Sequence, residues 1–267
     1  MQGLDMRFLG HSTVRIELAG RVVLTDPVLT PRIGPLRRVA GALGEDAWAD
    51  VDTVLISHLH GDHLHLDSLR LLGKSTAIVV PRGAGAWLSG KGFTDVSEIA
   101  PGETVEDGAL TVTATEARHS GHRWGPRLTH GPQAPAVGHL ISGGGTRIYA
   151  AGDTDLFDGM GGLGPVDVAL LPVWGWGPTL GPGHLDPGRA AKAVELIDPA
   201  VAVPVHWGTL ALTGLTRAPF GMGRTMRRLL VDPPREFAAA VARTHPRTEV
   251  VVTEPGEAVL PGARSGS

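Results

Sequence analysis

Four side chains able to bind a metal ion lie close together in the segment SHLHGDHLH. They are His58, His60, Asp62 and His63, and they follow directly on the apolar run TVLIS. Side chains alternate between the two faces of a β-strand, so one polar face of a strand cannot collect all four. A buried strand that ends here and opens into a tight turn would present them on one loop. The spacing therefore predicts a turn that two metal centres share.

Three further candidate ligands occur later in the chain, each at the end of an apolar run. His119 follows a strand candidate that ends near Thr115, Asp153 ends the run IYAAGD, and His206 ends VAVPVH. Strand ends that converge on one edge are where α/β proteins gather their chemistry. Any one of these histidines taken alone is more often structural, but a cluster of His and Asp at strand ends indicates a metal site.

We assign these residues to two divalent metal ions. The predicted ligands of the first ion are His58, His60 and His119. Those of the second ion are Asp62, His63 and His206, with the Asp153 carboxylate bridging the two ions. The chain has no cysteine, which excludes thiolate ligands and disulfides. Imidazole and carboxylate donors suit zinc, manganese and iron(II), among which we expect zinc.

Such a pair of ions would do hydrolytic chemistry. Two ions about 3.5 to 4 Å apart hold a hydroxide between them and bring the pKa of water towards neutrality, so no serine or cysteine nucleophile is needed. The ions also polarise a phosphoryl or carbonyl oxygen. Asp62 is predicted to orient the hydroxide and accept its proton. His184, in GPGHLDP, is predicted to contact the substrate or protonate the leaving group; the alternative is a loop histidine without a catalytic role.

Two residues near the N-terminus are candidates for supporting the ligands. Asp26 follows the strand candidate RVVLT and precedes Pro27, so its carboxylate is placed to fix the tautomer of a ligand histidine. Its alternative role is that of a turn or cap residue. His11, in FLGHST, is a similar candidate, for which a hydrogen-bonded structural role is the commoner finding.

The residues predicted to meet the substrate lie in loops rich in glycine and proline. Trp174, Trp176 and Trp124 either line an apolar pocket or cover the core. Arg37 and Arg38, within PRIGPLRRVAG, are predicted to attract a phosphate group near the pocket mouth. An ordinary solvated loop is the alternative for these arginines.

The hydrophobic pattern indicates the elements that must position these side chains. Strands are predicted at 6–9, 13–18, 21–25, 53–56, 76–80, 110–114, 137–141, 147–151, 168–171 and 201–205. Helices are predicted at 66–72, 187–197 and 234–244, the second with Asp186 as its N-cap. Strands and helices alternate in both halves of the chain, which favours two packed sheets with helices on both outer faces.

Length and composition favour one domain over residues 1–267, with a frayed tail at 255–267. The hydrophobic fraction is 42% but the aromatic fraction only 4%, so the core must consist mainly of Val, Leu, Ile and Ala. Three segments, 30–44, 121–135 and 174–183, are too rich in glycine and proline for regular structure. Loops of this length are usually functional or disordered, and we expect these three around one pocket.

The net charge and the N-terminal sequence limit the classes of partner that we expect. A formal net charge of -3 supplies no global field to attract nucleic acid or an anionic membrane. The N-terminus lacks the pattern of a signal peptide, and no uncharged apolar stretch approaches about 20 residues. We therefore expect a cytoplasmic protein with a small-molecule or lipid substrate, no nucleic-acid partner and no transmembrane segment. A homo-oligomer is left open.

The segment HLHGDH resembles the H-x-H-x-D-H signature of the metallo-β-lactamase superfamily, and His119, Asp153 and His206 fit its remaining ligand positions in order. The resemblance runs from about Phe8 to Gly208 and implies an α/β four-layer αββα sandwich, the metallo-β-lactamase fold. The segments GHSTVRIE, VVLTDPVL, AGDTDL, GHLDP and PVHWGT are similar to the branch that contains N-acyl-phosphatidylethanolamine-hydrolysing phospholipase D. The ascorbate-6-phosphate lactonases resemble the chain more loosely.

The sequence departs from its relatives at two informative positions. The phospholipase-like pattern has Asp where this chain has His65, and β-lactamases of the common subclass carry Cys where Asp153 stands. Penicillin hydrolysis is therefore disfavoured. The resemblance implies hydrolysis of a phosphodiester such as a phospholipid or related small molecule, with a lactone or other carboxylic ester as the runner-up. A regulatory protein that binds metal without turnover is a third hypothesis, against which the intact ligand set argues.

Overall fold

The computed structural model describes residues 3–123 and 131–260, which form two seven-stranded β-sheets and one small sheet. Strands are numbered along the chain. The first large sheet consists of β1 (Asp5–Gly10), β2 (Thr13–Leu18), β3 (Arg21–Thr25), β6 (Thr53–Leu55), β7 (Ala77–Pro81), β8 (Val96–Ile99) and β17 (Glu257–Ala258). Their spatial order is β17-β1-β2-β3-β6-β7-β8. Strands β3, β6 and β7 run parallel, so their carboxyl ends meet at one edge.

The second large sheet comes from residues 104–250. It consists of β9 (Thr104–Asp107), β10 (Leu110–Glu116), β11 (Val137–Gly143), β12 (Thr146–Ala150), β13 (Val168–Pro172), β14 (Val201–Val205) and β16 (Glu249–Val250). Their spatial order is β16-β14-β13-β12-β11-β10-β9. Strands β12, β13 and β14 are parallel, so residues that follow β12 and β14 emerge at the same edge.

The two large sheets face each other across a shared apolar core. Phe8 and Ile16 of the first sheet pack in one cluster with Ile141 and Leu170 of the second, and all four are buried. The sequence of β2, TVRIEL, shows the alternation that makes this possible, because its apolar residues are buried while its charged residues are not. The second sheet's central strands are buried along their whole length, as expected for strands covered on both faces.

Helices cover the outer faces of both sheets. The helices are α1 (Leu66–Leu72), α2 (Gly85–Ser89), α3 (Pro187–Ile197), α4 (Met222–Leu229) and α5 (Asp232–Thr244). Leu69 of α1 and Leu88 of α2 pack against the first sheet. Val194 of α3 and Phe237 of α5 pack against the second. This arrangement confirms the predicted four-layer αββα sandwich. The predicted N-cap of α3 is also present, since Arg189 N donates to Asp186 Oδ1 at 2.8 Å.

Two segments are more regular than predicted. Within the segment 30–44, expected to be irregular, β4 (Arg32–Ile33) and β5 (Leu36–Arg38) pair with each other, and β5 pairs with β15 (Leu210–Leu212). The expected fraying of 255–267 does not hold for β17, whose Glu257 and Ala258 pair with Phe8 and Arg7. All four of these strands contain two or three residues and take their order from the partner strand, which no local pattern reveals. Residues 261–267 lie outside the described part.

Short 3₁₀ helices complete the structure at Glu45–Trp48, Asp158–Gly162 and Leu215–Arg217. Within the described ranges, no helix combines the length and apolar character needed to cross a bilayer.

Candidate metal centre

The four clustered ligands lie on a turn between β6 and α1. Strand β6 ends at Leu55, and the amides of His63 and Leu64 both donate to the carbonyl of His60, which closes the chain into a tight turn. His58 and His63 are fully buried, whereas His60 and Asp62 are half-buried. The turn thus points two histidines into the molecule and leaves the other two ligands at the floor of a cleft.

The predicted ligands of the first ion converge. His58 Nε2 lies 3.0 Å from His60 Nδ1, and His119 Nε2 lies 3.1 Å from the same His60 atom. All three ring nitrogens fit within 4.8 Å of one another. Nitrogens this close are consistent with a single ion about 2.0 to 2.1 Å from each.

The predicted ligands of the second ion form an adjacent set. His63 Nε2 and His206 Nε2 are 3.2 Å apart. A carboxylate oxygen of Asp62 and a ring nitrogen of His11 both lie within 4.8 Å of the ligand atoms of these two rings. His206 reaches this position from the second sheet, directly after β14. The candidate ligands of the two predicted ions therefore come from both sheets.

Asp153 lies between the two sets. Its Oδ2 is 3.3 Å from His63 Nε2 and 3.9 Å from His119 Nε2, and its Oδ1 is 3.3 Å from His206 Nε2. The carboxylate thus reaches a ring of the first set and both rings of the second. His184 joins at the outer side, with Nε2 3.4 Å from Asp153 Oδ2 and a side chain 22% exposed.

The outward hydrogen bonds of the rings test whether this donor set fits metal ions. Nδ1 of His63 donates to Asp26, that of His119 to Gly183 O, and that of His206 to Trp174 O. His58 Nδ1 lies 3.0 Å from the Ser57 hydroxyl, which itself donates to Asp26. Each ring therefore keeps its proton outside and turns a lone pair inward, as metal-binding histidines do.

Inward lone pairs that face each other cannot satisfy one another by hydrogen bonding. Asp153 Oδ1, which lies 3.3 Å from His206 Nε2, is a buried atom without a hydrogen-bond partner among the described residues. Buried polar groups in native proteins are almost always partnered. A pair of divalent cations would bind the facing nitrogens together with the Asp153 carboxylate, so the residues present fit such ions.

The electrostatics favour the ligand forms of most of these groups. Burial lowers the pKa of His60 to about 4 and lowers the pKa values of His58 and His206 well below the ordinary value. Burial also lowers the pKa of His119. Burial alone would raise the pKa of Asp153, but the nearby histidines hold it well below its usual range. Neutral imidazoles and an ionised carboxylate are the forms that bind metal.

His63 differs from the other rings. Burial would lower its pKa, but the carboxylates of Asp153 and Asp26 outweigh burial and raise it well above the ordinary value. Its Nδ1 lies 2.8 Å from Asp26 Oδ2. Asp26 is in turn held by the amide of Ser57 at 2.7 Å and its hydroxyl at 2.6 Å. The geometry is that predicted for Asp26, a carboxylate that fixes the tautomer of a ligand histidine.

Strained backbone is concentrated at this site. His11, Asp26 and His206 have φ values of 55°, 36° and 64°, in the left-handed region that residues other than glycine rarely adopt. Such conformations persist only where the surrounding structure enforces them, and they cluster at functional sites. Here they turn three side chains inward from strand ends.

His11 and Trp176 fix the orientation of Asp62. His11 Nε2 donates to Asp62 Oδ2 at 3.1 Å, and Trp176 Nε1 donates to the same oxygen at 2.9 Å. Burial would raise the pKa of Asp62, but the hydrogen bond from His11 and the surrounding histidines hold it well below its usual range. His11 is itself held in place, because its amide donates to the Thr209 hydroxyl at 2.6 Å.

A cleft of about 570 Å³ opens over the turn. Each of the three predicted loop segments contributes to its wall, with Ile33 from the first, Arg123 from the second and Trp176 from the third. Pro35 and Leu36 extend an apolar wall on the side of the small sheet. The expectation that these segments surround one pocket is confirmed for the described residues.

The remaining predicted substrate residues have other positions. Arg38 is buried and donates to the carbonyls of Leu9 and Gly41, so its guanidinium supports the backbone rather than the cleft. Arg37 lies on the exposed face of β5. The ring Nε1 of Trp174 donates a hydrogen bond to Gly177 O, and the carbonyl of Trp174 accepts one from His206 Nδ1. Trp124 lies outside the described residues.

Comparison with known proteins identifies the family. Residues 21–207 match the model of the β-lactamase superfamily domain. This chain belongs to the β-lactamase superfamily. It is 34% identical over 260 residues to a metal-dependent hydrolase of Methanopyrus kandleri, with 95% of this chain and 98% of that protein covered. The chain is accordingly a metal-dependent hydrolase of the superfamily, as the resemblance of HLHGDH implied.

Two other similarities bear on this superfamily member. A metallo hydrolase structure from Ignicoccus hospitalis superposes with a TM-score of 0.72 at 25% identity, covering 97% of this chain and 99% of that one. An N-acyl-phosphatidylethanolamine-hydrolyzing phospholipase D of Caenorhabditis elegans is 29% identical over 232 residues, with 78% of this chain and 64% of that protein covered. The first similarity confirms the metallo-β-lactamase fold over nearly the whole chain.

Several supporting groups of this β-lactamase superfamily site were not predicted from the sequence. Ser57 directly precedes His58 in SHLHGDH, so its position beside the turn was visible, although its bond to Asp26 was not. The carbonyls of Gly183 and Trp174 hold two ligand rings, and backbone groups leave no trace in the residue types. Thr209 supports His11 from three residues beyond His206.

Proposed function

We propose that this chain is a dinuclear metal-dependent hydrolase that acts on a phosphodiester, such as a phospholipid or related small molecule. The observation that carries the proposal is the convergence of two donor sets on Asp153, with the outer nitrogens of four ligand rings engaged outward. The similarity to the phospholipase D of Caenorhabditis elegans supports a phosphodiester as substrate class. Zinc is the metal we expect, with manganese or iron as alternatives.

A bound pair of divalent ions would lower the pKa of a water molecule so that a nucleophile exists near pH 7, and would polarise the scissile oxygen. The chain's own residues do the remaining work. Asp62, fixed by His11 and Trp176, is placed to orient the attacking water and accept its proton. His184, at the rim beside Asp153, is placed to donate a proton to the leaving group. The apolar wall of Ile33, Pro35 and Leu36 would accommodate an apolar part of the substrate.

Hydrolysis of a lactone or other carboxylic ester is the second candidate. The cleft favours it in one respect, because Arg123, the one arginine among its described wall residues, already donates to the carbonyls of Leu59 and Leu64. A neutral ester needs no further cation to bind. The same catalytic groups would serve both reactions, so substrates must decide between them.

The test combines metal quantification with a substrate panel of bis(p-nitrophenyl) phosphate, N-acylethanolamine phospholipids and lactones. We expect two ions per wild-type chain. Asp62→Ala should cut turnover by about 100-fold or more, and His184→Ala should do so without loss of metal. Asp95→Ala, at an exposed carboxylate in a loop, is the control. Fewer than two ions in the reconstituted wild type, or full activity in Asp62→Ala, would contradict the proposal.

A further inference from the structure

The segment 213–231 carries an unusual charge for this chain. It contains Arg217, Arg224, Arg227 and Arg228 and no acidic residue, although the whole chain has a net charge of -3. All four arginines are exposed. Arg228 pairs with Asp232 at 3.0 Å, whereas for Arg217 and Arg224 no ion pair occurs within the described part of the chain. The segment, called here the arginine segment, is therefore a local cationic patch.

Apolar side chains project from the same surface. Phe220 is fully exposed, and Met222 and Val231 are 41% and 42% exposed. The described ranges contain eight exposed large apolar residues, and these are three of them. A fourth, Val39, lines a neighbouring cleft together with Val231 and Arg227. A large ring in full contact with water costs free energy unless a partner covers it.

A hydrogen-bonded turn fixes the outward position of the Phe220 side chain. Met222 N bonds back to Pro219 O, so Phe220 and Gly221 form the centre of a tight turn, with φ values of 56° and 84°. A bulky residue in the left-handed region is an outlier that the surroundings must enforce. They do so through Gly223 of α4, where an added Cβ would lie 2.7 Å from Ala218 O, and through Arg227, which donates to Thr216 O.

The arginine segment is joined to the mouth of the catalytic cleft. Thr213 donates to Pro35 O through both its amide, at 3.1 Å, and its hydroxyl, at 2.9 Å. Pro35 lines the cleft, and Leu210, three residues earlier, packs with Ile33 and Leu36 beneath it. A surface that bound the arginine segment would consequently lie beside the cleft opening.

We propose that residues 213–231, with Phe220 at their tip, are a docking surface for an anionic lipid bilayer. Arginines flanking exposed apolar side chains match a bilayer interface, where anionic headgroups lie above acyl chains. A second copy of the chain docked through a two-fold axis would bring these arginines against each other. A nucleic-acid backbone would match the arginines but leave Met222 and Val231 without a partner. The inference does not depend on the proposed reaction, because docking needs no turnover.

The test is sedimentation of the full, metal-loaded chain with vesicles of phosphatidylcholine, with and without phosphatidylserine. The wild type should bind the anionic vesicles, and less so as salt is raised. Phe220→Ser and the double variant Arg217→Glu/Arg224→Glu should each weaken binding about tenfold or more. The matched controls are Leu71→Ser, at an exposed leucine of α1, and Lys192→Glu/Arg243→Glu, at exposed cations of α3 and α5. Both controls should bind as the wild type does.

Failure of the wild-type chain to bind anionic vesicles would overturn the proposal. An equal loss of vesicle binding in the segment variants and in the controls would also overturn it. Phe220-dependent self-association or nucleic-acid binding without vesicle binding would also overturn it. Hydrolysis of soluble bis(p-nitrophenyl) phosphate separates this inference from the proposed function. Vesicle binding without hydrolysis of any panel substrate would refute the function alone, and hydrolysis that the segment variants retain shows that they are folded.

Discussion

Ser57 connects two rings of the candidate metal site through one hydroxyl. Its Oγ donates to Asp26 Oδ2 at 2.6 Å and lies 3.0 Å from His58 Nδ1, and Asp26 in turn accepts from His63. Outer partners of this kind commonly change metal affinity by about 10- to 100-fold. Ser57→Ala should therefore weaken binding of both ions by at least about tenfold, measured by competition with a chelator. Ser142→Ala, at a half-buried serine of β11, is the control and should leave affinity unchanged.

Burial of His139, which is not among the candidate ligands, predicts that stability depends on pH. Burial lowers the pKa of this ring to about 4, whereas the unfolded chain takes up the proton near pH 6.5. Below about pH 6.5 the unfolded state binds a proton that the folded state does not, so stability falls as the pH is lowered towards 4. The shift corresponds to about 3 kcal/mol.

Urea unfolding of the wild type and His139→Gln at neutral pH and near pH 4.5 measures this effect. The ligand histidines titrate in both proteins, so the difference between them isolates His139. The variant should lose less stability than the wild type on acidification, by about 2 to 3 kcal/mol. Equal losses in the two proteins would show that the ring titrates normally in the folded state.

At the scale of elements, the close approach of two loops depends on Gly152. This residue follows β12 with φ at 61°, and an added Cβ would lie 2.4 Å from Ser57 Cβ. Gly152→Ala should therefore cost about 2 to 4 kcal/mol in the free energy of unfolding and reduce metal content, because it separates Asp153 from the His58 turn. Gly145→Ala is the matched control. Its φ is 78°, but nothing lies within 4 Å of the added atom, so only about 1 kcal/mol of backbone strain is expected.

The elements that sequence patterns identified are those that bury a continuous apolar face. The helices at 66–72 and 187–197 agree with the structure at both ends, and the third begins two residues before its predicted start. Strands β4, β15 and β17 escaped prediction because each has two or three residues and acquires its order from a partner distant in the chain. Helix α4, in the arginine segment, was missed because its buried face consists only of Gly223 and Met226.

The same distinction applies to the candidate site. The convergence of the candidate ligands could be predicted because metal-binding residue types are few and stand at strand ends. Arg38 was expected at the pocket mouth, but the alternation of β5 turns it inward beside Leu36, where it donates to backbone carbonyls. The pairing of β5 with β15 decides that alternation, and no pattern within the loop specifies it.

At the scale of the molecule, the candidate metal site brings together residues of the two sheets at one edge. His58 follows β6 of the first sheet, whereas Asp153 and His206 follow β12 and β14 of the second. Ions that bind only the folded chain stabilise it in proportion to their affinity. Removal of metal by a chelator should lower the melting temperature by about 5 to 10 °C.

Calorimetry with and without chelator measures how much the bound ions raise the melting temperature. Asp153→Ala lacks the carboxylate between the two donor sets, so it should melt at a lower temperature and respond little to chelator. A wild-type melting temperature that chelator leaves unchanged would mean that the sheets hold together without help from the ions.

The spread of the ligands along the chain also sets an order of events during synthesis. The first donor set is complete once His119 has been translated, but the second needs His206, which follows β14 late in the chain. A nascent chain stalled between these two histidines therefore contains all three rings of the first set, but only Asp62 and His63 of the second. On the proposed two-ion assignment, full loading with metal requires that β14, which directly precedes His206, has left the ribosome and packed beside β13.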